Sequence, residues 1–332
     1  MMKKTLLTLA LLGLSSQALA IKDGTPLNWV EHDDMVKINC TGTVLAGKWI
    51  LTAAHCQSNT AGRVEFANGN VQYASKTLHP DNLSGGVDIA LWTLPAQANT
   101  TVTTFLSMRN VDANENIKIS GFGAGKDKPL KDLEYAIQTS QPQKADLAAR
   151  RLFLDLAGKG KVLAGDSGSP MSDDKDLLVG IMSTGGEGIG ATGTRLHFAR
   201  DFILNTINGW HYPTLATTAT TGGKVTIEVQ SLHMQSFVDN ATYSGDVTIT
   251  GGTCSGATVE PFDTCTYEIE SPNGYEGKVT LDDGQVITVN KGRKKPASPA
   301  QPAPSEGGSS GGSFGFLSLL GLLVMSRLRR TQ

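Results

Sequence analysis

Short apolar or alternating runs, separated by turn residues, recur along most of the chain and predict β-strands. The first body has such runs at 35–40, 41–45, 48–54, 152–158 and 193–198, with further short segments from 93 to 125. A second set, at 224–229, 246–250, 265–269, 277–281 and 285–289, alternates with a period of two. One stretch differs, because residues 199–210 place Phe202, Ile203 and Ile207 at helical spacing. The pattern predicts an all-β protein with one helix near residue 200.

Both ends of the chain depart from this pattern. Residues 1–20 begin with Lys3 and Lys4, continue with an apolar run and end in Ala18-Leu19-Ala20, which is typical of a secretory signal peptide. Residues 292–313 are rich in Pro, Gly and Ser and predict a linker. Residues 314–332 are apolar and then basic, and the apolar run is shorter than a lasting helical span prefers. A plain C-terminal membrane anchor remains an alternative for this tail.

Composition narrows the class of protein. The 332 residues include 38 Gly, and 39% are hydrophobic, which is enough for a sizeable core and more than one domain. The net charge is −2, and removal of the two ends would take away five cations. An acidic mature chain argues against nucleic acid as a partner.

Four cysteines in an exported chain indicate disulfides. Three pairings are possible, and sequence locality favours Cys40 with Cys56 and Cys254 with Cys265. The first would hold His55 beside its neighbouring strand.

No metal or cofactor is predicted. The cluster at 31–34, which contains His32 and three carboxylates, has no companion ligands at recognisable spacing. It is interpreted as a solvated turn.

Three short motifs carry candidate chemistry. Residues 165–170 read Gly-Asp-Ser-Gly-Ser-Pro, a glycine-bounded turn that would present the Ser167 hydroxyl. Upstream, Thr-Ala-Ala-His-Cys ends in His55 and Cys56, and Val-Asp-Ile-Ala-Leu places Asp88 between apolar residues. An imidazole titrates near neutral pH, and a carboxylate in apolar surroundings needs a hydrogen-bond partner. The three side chains therefore suggest a base, its orienting group and a nucleophile.

Together these motifs resemble the trypsin-like (chymotrypsin-fold) serine protease family. The resemblance covers residues 21–212 and implies a double six-stranded β-barrel. It implies that Ser167 is the nucleophile, His55 the general base and Asp88 the residue that orients it. The backbone N–H groups of Gly165 and Ser167 would form the oxyanion hole. The His-to-Asp spacing of 33 residues is short for this family, which indicates trimmed surface loops.

The resemblance also implies a maturation step. In the family a new N-terminal ammonium pairs with the Asp that precedes the nucleophile, here Asp166. Signal-peptide cleavage after Ala20 would expose Ile21 for this pairing. The tail resembles the GlyGly C-terminal sorting tail of Gram-negative bacteria, which a rhombosortase is thought to cut. The expected location is the cell surface or the extracellular medium, with transient or lipid-mediated membrane association through the tail.

The family resemblance places a primary pocket at Lys161, Ser183, Thr184, Gly185 and Gly193. Lys161 stands where an Asp would select Arg or Lys, so it would favour acidic or neutral side chains unless Glu187 neutralises it. Thr184 replaces an aromatic residue and would widen one wall.

The remaining segments complete the domain organisation. Residues 213–223 are predicted to be a linker, and residues 224–291 are predicted to be a small antiparallel β-sandwich of the immunoglobulin-like kind. The functional hypothesis is an exported serine endopeptidase that cleaves protein or peptide substrates. The alternative is a catalytically silent adhesin or binding protein of the cell surface that keeps the fold.

Overall fold

The structure is a computed structural model that describes residues 21–56, 62–80, 87–123, 132–141, 150–186, 188–281 and 284–296. The predicted signal peptide, the tail at 314–332 and most of the linker at 292–313 lie outside these residues.

The first 14 strands form two sheets, and β1 joins the second sheet with β9 to β14. In chain order they are β1 (Thr25–Pro26), β2 (Met35–Lys37), β3 (Thr41–Leu45), β4 (Trp49–Thr52), β5 (Gly62–Phe66), β6 (Val71–Ala74), β7 (Lys76–Leu78), β8 (Ala90–Thr93), β9 (Asn116–Gly121), β10 (Glu134–Ser140), β11 (Arg151–Leu156), β12 (Pro170–Ser172), β13 (Leu178–Gly186) and β14 (Ile189–Arg195). Two 3-10 turns lie at Trp29–His32 and Ala54–Cys56, and helix α1 spans Leu196–Ile207.

Both sheets are barrel-like. The first has the order β6-β5-β2-β3-β4-β8-β7, and the second has the order β1-β10-β11-β14-β13-β12-β9 with an additional β9–β10 pairing. Each encloses its own apolar cluster, around Ile50 and Trp92 in the first and around Ile119 and Met171 in the second. The predicted all-β double-barrel architecture is therefore confirmed, with seven strands in each sheet.

A third apolar cluster joins the two barrels. It contains Leu51 and Leu91 from the first sheet, Ile181 from the second and Ile203 from α1. These residues are fully buried, so the junction between the barrels is a packed interior. The chain segments that leave β4 and approach β8 emerge beside this junction.

Two parts of the first body differ from the pattern-based prediction. Helix α1 begins at Leu196, so the predicted strand at 193–198 ends at Arg195. Leu196, Ala199 and Ile203 form one buried face at helical spacing, which explains the earlier start. Strand β10 falls in a polar stretch where the sequence predicted no strand. Its buried positions are Glu134, Ala136, Gln138 and Ser140, so an alternation of burial exists without an alternation of hydrophobicity.

The C-terminal part of the described chain forms two four-stranded sheets and a two-stranded ribbon. The sheet orders are β15-β17-β22-β20 and β16-β24-β23-β19, with β18 paired to β21. All pairs are antiparallel except β16 with β24. The strands are β15 (Gly209–His211), β16 (Leu215–Ala216), β17 (Gly223–Leu232), β18 (Phe237–Val238), β19 (Thr242–Gly245), β20 (Thr248–Gly251), β21 (Thr258–Val259), β22 (Thr264–Ser271), β23 (Gly277–Thr280) and β24 (Val286–Val289).

These sheets recruit residues on both sides of the predicted boundary at 212. Strand β15 pairs with β17, and β16, inside the predicted linker at 213–223, pairs with β24. Trp210 is fully buried in the core of this part, beside Tyr267. Strands of two or three residues show no alternation, so the sequence could not reveal them.

The acidic cluster at 31–34 is not the solvated turn that the sequence suggested. Asp33 accepts hydrogen bonds from the backbone of Thr101 and Val102, and the buried Asp34 accepts them from Thr104. Both carboxylates therefore fasten the segment at 101–104 to the first barrel. In the described part of the chain, no helix has the length and apolar character needed to cross a membrane.

Candidate active site

Pairing of β4 with β8 brings His55 and Asp88 together. Thr52, the last residue of β4, is opposite Ala90, the first residue of β8. The chain therefore leaves β4 and enters β8 at the same edge of the first sheet. His55 follows in the turn after β4, and Asp88 precedes β8. The His55 Nδ1 atom lies 2.6 Å from Asp88 Oδ2, and the His55 backbone N–H donates to Asp88 Oδ1 over 3.0 Å.

The second barrel supplies two further partners for Asp88. The Ser183 hydroxyl, on β13, donates to Asp88 Oδ2, and the Asp88 backbone N–H donates to Thr194 Oγ1, on β14. Burial opposes ionisation of Asp88, but the hydrogen bonds from His55 and Ser183 outweigh it and lower its pKa to about 2. The hydrogen bond to Asp88 raises the pKa of His55 above 6.5 against partial desolvation.

Two glycines shape the turn that carries Ser167. Gly165 has φ +100° and Gly168 has φ +81°, backbone angles that residues other than glycine rarely adopt. A Cβ on Gly168 would lie only 2.1 Å from Thr52 Oγ1. The turn is tied to the first barrel because Thr41 N–H donates to the Ser167 carbonyl and Thr41 Oγ1 donates to the Gly165 carbonyl. Ser167 is thus placed at the junction of the two barrels.

The Ser167 side chain lies beside the His55 and Asp88 group without bonding to the imidazole. Its hydroxyl donates to the Ser183 carbonyl over 3.3 Å, and no hydrogen bond between the described Ser167 and His55 side chains is present. Ser183 therefore bridges the two parts, through its carbonyl to Ser167 and through its hydroxyl to Asp88. The backbone N–H groups of Gly165 and Ser167 donate to no acceptor among the described residues.

Asp166 is fully buried behind Ser167, where its two oxygens accept the N–H groups of Gly123 and Leu163, each over 2.7 Å. Burial, together with the nearby Glu134 carboxylate, raises the pKa of Asp166 to about 7. The expected pairing of Asp166 with the Ile21 ammonium of a cleaved chain stays a prediction. The Ile21 backbone nitrogen donates to Glu134 Oε2 over 3.0 Å.

The residues assigned to a primary pocket are distributed over three segments, which are β13, β14 and the segment at Lys161. Ser183, Thr184 and Gly185 continue β13 past the nucleophile, and the Thr184 hydroxyl bonds to Thr192 on β14. Gly193 lies on β14 against Met171. Lys161 forms an antiparallel bridge with Lys22 through its backbone. Glu187, the suggested counter-charge, lies outside the described residues.

Both disulfides favoured by sequence locality are present. Cys40 is joined to Cys56, directly after His55, and Cys254 is joined to Cys265 in the C-terminal part.

Four residues that position the site carried no signal in the sequence. They are Thr41, Glu134, Val162 and Thr194, which act through contacts between distant segments. A lone Thr, Glu or Val has no local pattern that marks such a contact.

The trypsin family model matches residues 24–207. Among solved structures, the VesB protease of Vibrio cholerae shares 19% identity, with a TM-score of 0.48, over 81% of this chain and 98% of VesB. The secreted serine protease VesC of Vibrio cholerae shares 15%, with a TM-score of 0.44, over 77% of this chain and 68% of VesC.

Mouse brain neuropsin, a serine protease, shares 18% identity, with a TM-score of 0.49, over 56% of this chain and 100% of neuropsin. No curated protein matches the sequence. The family match alone spans more than half of the chain. The protein therefore belongs to the trypsin family.

Proposed function

We propose that the protein is an exported serine endopeptidase that hydrolyses peptide bonds through a covalent acyl-enzyme intermediate. Ser167 is the nucleophile, His55 the general base and then acid, and Asp88 the residue that orients the imidazole. The observation that carries this proposal is the hydrogen-bonded group of His55, Asp88 and Ser183, with the Ser167 hydroxyl on the Ser183 carbonyl.

The contact at Asp88 defines the role of each imidazole nitrogen. Because Nδ1 lies against the carboxylate, it carries the proton there, and Nε2 is left to accept one. With a pKa of about 2, Asp88 is ionised at neutral pH and stabilises the imidazolium that forms when His55 takes a proton. The pair thus serves both halves of an acid–base cycle.

The reaction proceeds in two balanced steps. First, His55 Nε2 takes the Ser167 hydroxyl proton while Oγ bonds to the substrate carbonyl carbon. The C–N bond then breaks, and His55 gives the proton to the departing amine. Second, a water gives a proton to His55 and its oxygen bonds to the acyl carbon. His55 returns the proton to Ser167 as the acid product leaves. Before the first step, the Ser167 hydroxyl leaves the Ser183 carbonyl and forms a hydrogen bond to His55 Nε2. Catalytic hydrogen bonds often form fully only when substrate is bound.

The carbonyl oxygen gains negative charge in each tetrahedral intermediate. The N–H groups of Gly165 and Ser167, which have no acceptor among the described residues, are available to stabilise it. The positive φ of Gly165 supports this role, because a residue with a side chain would strain the turn there.

Maturation and export follow from the two ends of the sequence. Signal peptidase would cut after Ala20, and the new ammonium of Ile21 would lie against the buried Glu134 carboxylate. A rhombosortase would process the tail after the glycine-rich segment. The mature enzyme would then be released or held at the surface of a Gram-negative cell.

Fluorophosphonate labelling of the secreted protein tests this function. The probe is expected to label the wild type, but not a Ser167→Ala variant. Ser169→Ala is the matched control, since Ser169 lies in the same turn, is buried and its hydroxyl has no partner in the described structure. Labelling of Ser169→Ala but not of Ser167→Ala would support the peptidase. An unlabelled wild type that is folded by circular dichroism would favour the silent binding protein.

A further inference from the structure

The two walls of the primary pocket touch each other. A Cβ added to Gly185 would lie 2.4 Å from Val162 Cγ2 and 3.2 Å from both Met182 Cε and Ala191 Cα. Since a Cβ stands about 1.5 Å from its Cα, Val162 Cγ2 is within about 4 Å of the Gly185 backbone. This is van der Waals contact. No side chain fits between Gly185 and Val162 in this arrangement.

The residues behind this contact belong to the interior of the second barrel. Val162, Met171, Met182 and Ala191 are all at most 1% exposed and lie in one apolar cluster. Met171 fills the space at Gly193, where a Cβ would lie 2.6 Å from its sulfur. The space beside Gly185 and Gly193 is therefore filled with apolar side chains.

Lys161 does not provide the contact with Gly185. Its backbone N–H and carbonyl both pair with Lys22, over 2.8 Å and 3.0 Å, which makes this segment locally extended. Neighbouring side chains in an extended segment point to opposite sides. Val162, rather than Lys161, is therefore the residue whose side chain contacts Gly185.

We propose that this enzyme selects peptides with a small side chain, Gly, Ala or Ser, directly before the scissile bond, because Val162 and Met182 close the pocket beside Gly185. This inference rests on the proposed peptidase function. An extended substrate whose carbonyl carbon lies at Ser167 Oγ and whose backbone follows β13 carries this side chain beside Gly185. A hydrogen atom or a methyl group would displace the fewest of the atoms packed there. A guanidinium, an ammonium or an aromatic ring would have to displace buried core atoms.

A peptide series that differs only in the residue before the cut tests the inference. For the wild type, kcat/KM for Ala is expected to exceed that for Arg, Lys and Phe by at least about tenfold, the scale set by adding carbon atoms to a filled pocket. A higher kcat/KM for Arg, Lys or Phe would overturn the inference and leave the peptidase function intact. Absence of fluorophosphonate labelling would instead overturn the peptidase function.

Val162→Ala tests the responsible side chain directly. The measured quantity is the ratio of kcat/KM for a peptide with Leu before the scissile bond to kcat/KM for the peptide with Ala there. Removal of the two Val162 methyl groups is expected to raise this ratio by at least about fivefold. Val111→Ala is the matched control, since Val111 is buried in the same cluster and is not among the atoms nearest Gly185. Met182→Leu gives a second, milder variant should Val162→Ala not fold. An unchanged ratio in both Val162→Ala and Met182→Leu would refute the assignment.

Discussion

The backbone nitrogen of Ile21 donates to Glu134 Oε2 over 3.0 Å, across 113 residues of sequence. Ile21 is fully buried and Glu134 is 3% exposed. Gly24 permits the approach, because a Cβ there would lie 2.9 Å from the Ile21 carbonyl and 3.1 Å from Glu134 Oε2. Asp166 is close enough that the Glu134 charge raises its pKa. The buried Glu134 carboxylate thus lies against the nitrogen that becomes an ammonium if the mature chain begins at Ile21, and the buried Asp166 lies near Glu134.

Glu134→Gln is expected to destabilise the mature chain by about 3–5 kcal/mol, the cost of removing one partner from a buried charge pair. The glutamine oxygen can still accept an uncut backbone N–H, so a chain that retains residues before Ile21 should lose much less. Urea unfolding in a Ser167→Ala background measures both without autolysis.

Glu65→Gln is the control, because its ion pair with Arg63 is largely exposed and worth less than about 1 kcal/mol. N-terminal sequencing must show a mature start at Ile21. Equal losses for the cut and uncut chains would show that Glu134 does not serve the ammonium.

Activity is expected to fall on the acid side as His55 gains a proton and can no longer act as a base. Because Asp88 raises the pKa of His55, the midpoint of this fall should lie above pH 6.5. Asp88, with a pKa of about 2, stays ionised between about pH 4 and 9 and should add no second transition. The pH dependence of kcat/KM measures both features.

Asp88→Asn should lower that midpoint and reduce kcat by about 10⁴-fold, because the imidazole loses its anionic partner and its correct tautomer. Asp201→Asn is the control, since the Asp201 side chain is exposed on α1. A midpoint that does not move in Asp88→Asn would contradict the proposed role of the carboxylate.

Replacing both Cys40 and Cys56 by Ala should cost about 3 kcal/mol of stability, since the disulfide closes a loop between residues 16 apart. It should also lower kcat, because Cys56 follows His55 directly. Replacing both Cys254 and Cys265 by Ala is the matched control in the C-terminal part. Stability should fall in this variant, and kcat should not. Chemical unfolding and steady-state kinetics measure the two effects; equal kcat losses in both variants would argue against a role for the first disulfide in positioning His55.

Gln230→Ala is expected to lower the free energy of unfolding of the protein by about 2–3 kcal/mol, because it removes partners from buried backbone groups. The Gln230 amide, on β17, accepts from the Leu106 N–H and donates to the Leu106 and Phe262 carbonyls. It thereby ties the C-terminal sheets to the first body. Gln72→Ala, at a partly exposed side chain, is the control for a urea unfolding series. Equal midpoints for the two variants would mean that the two parts are not coupled through Gln230.

The strands and chemical motifs of the first body could be predicted because their signals are local. Alternation identified β3, β4 and most of β17 to β24, and the motifs around His55, Asp88 and Ser167 pointed to the trypsin family. The disulfide partners also followed from locality. Strand β10 escaped because its inward-facing residues include Glu134 and Gln138, and hydrophobicity does not mark a strand whose buried side chains are polar.

The amino-acid sequence by itself determined which segments extend, where Gly165 and Gly168 let the chain turn, and which side chains can exchange protons. These properties depend on a residue and its near neighbours. Only the tertiary structure decided that Ile21 meets Glu134, that Ser183 links Ser167 with Asp88, and that Val162 rather than Lys161 faces Gly185. Each of these contacts depends on sheet register and on the packing of segments far apart in the chain, which no local pattern records.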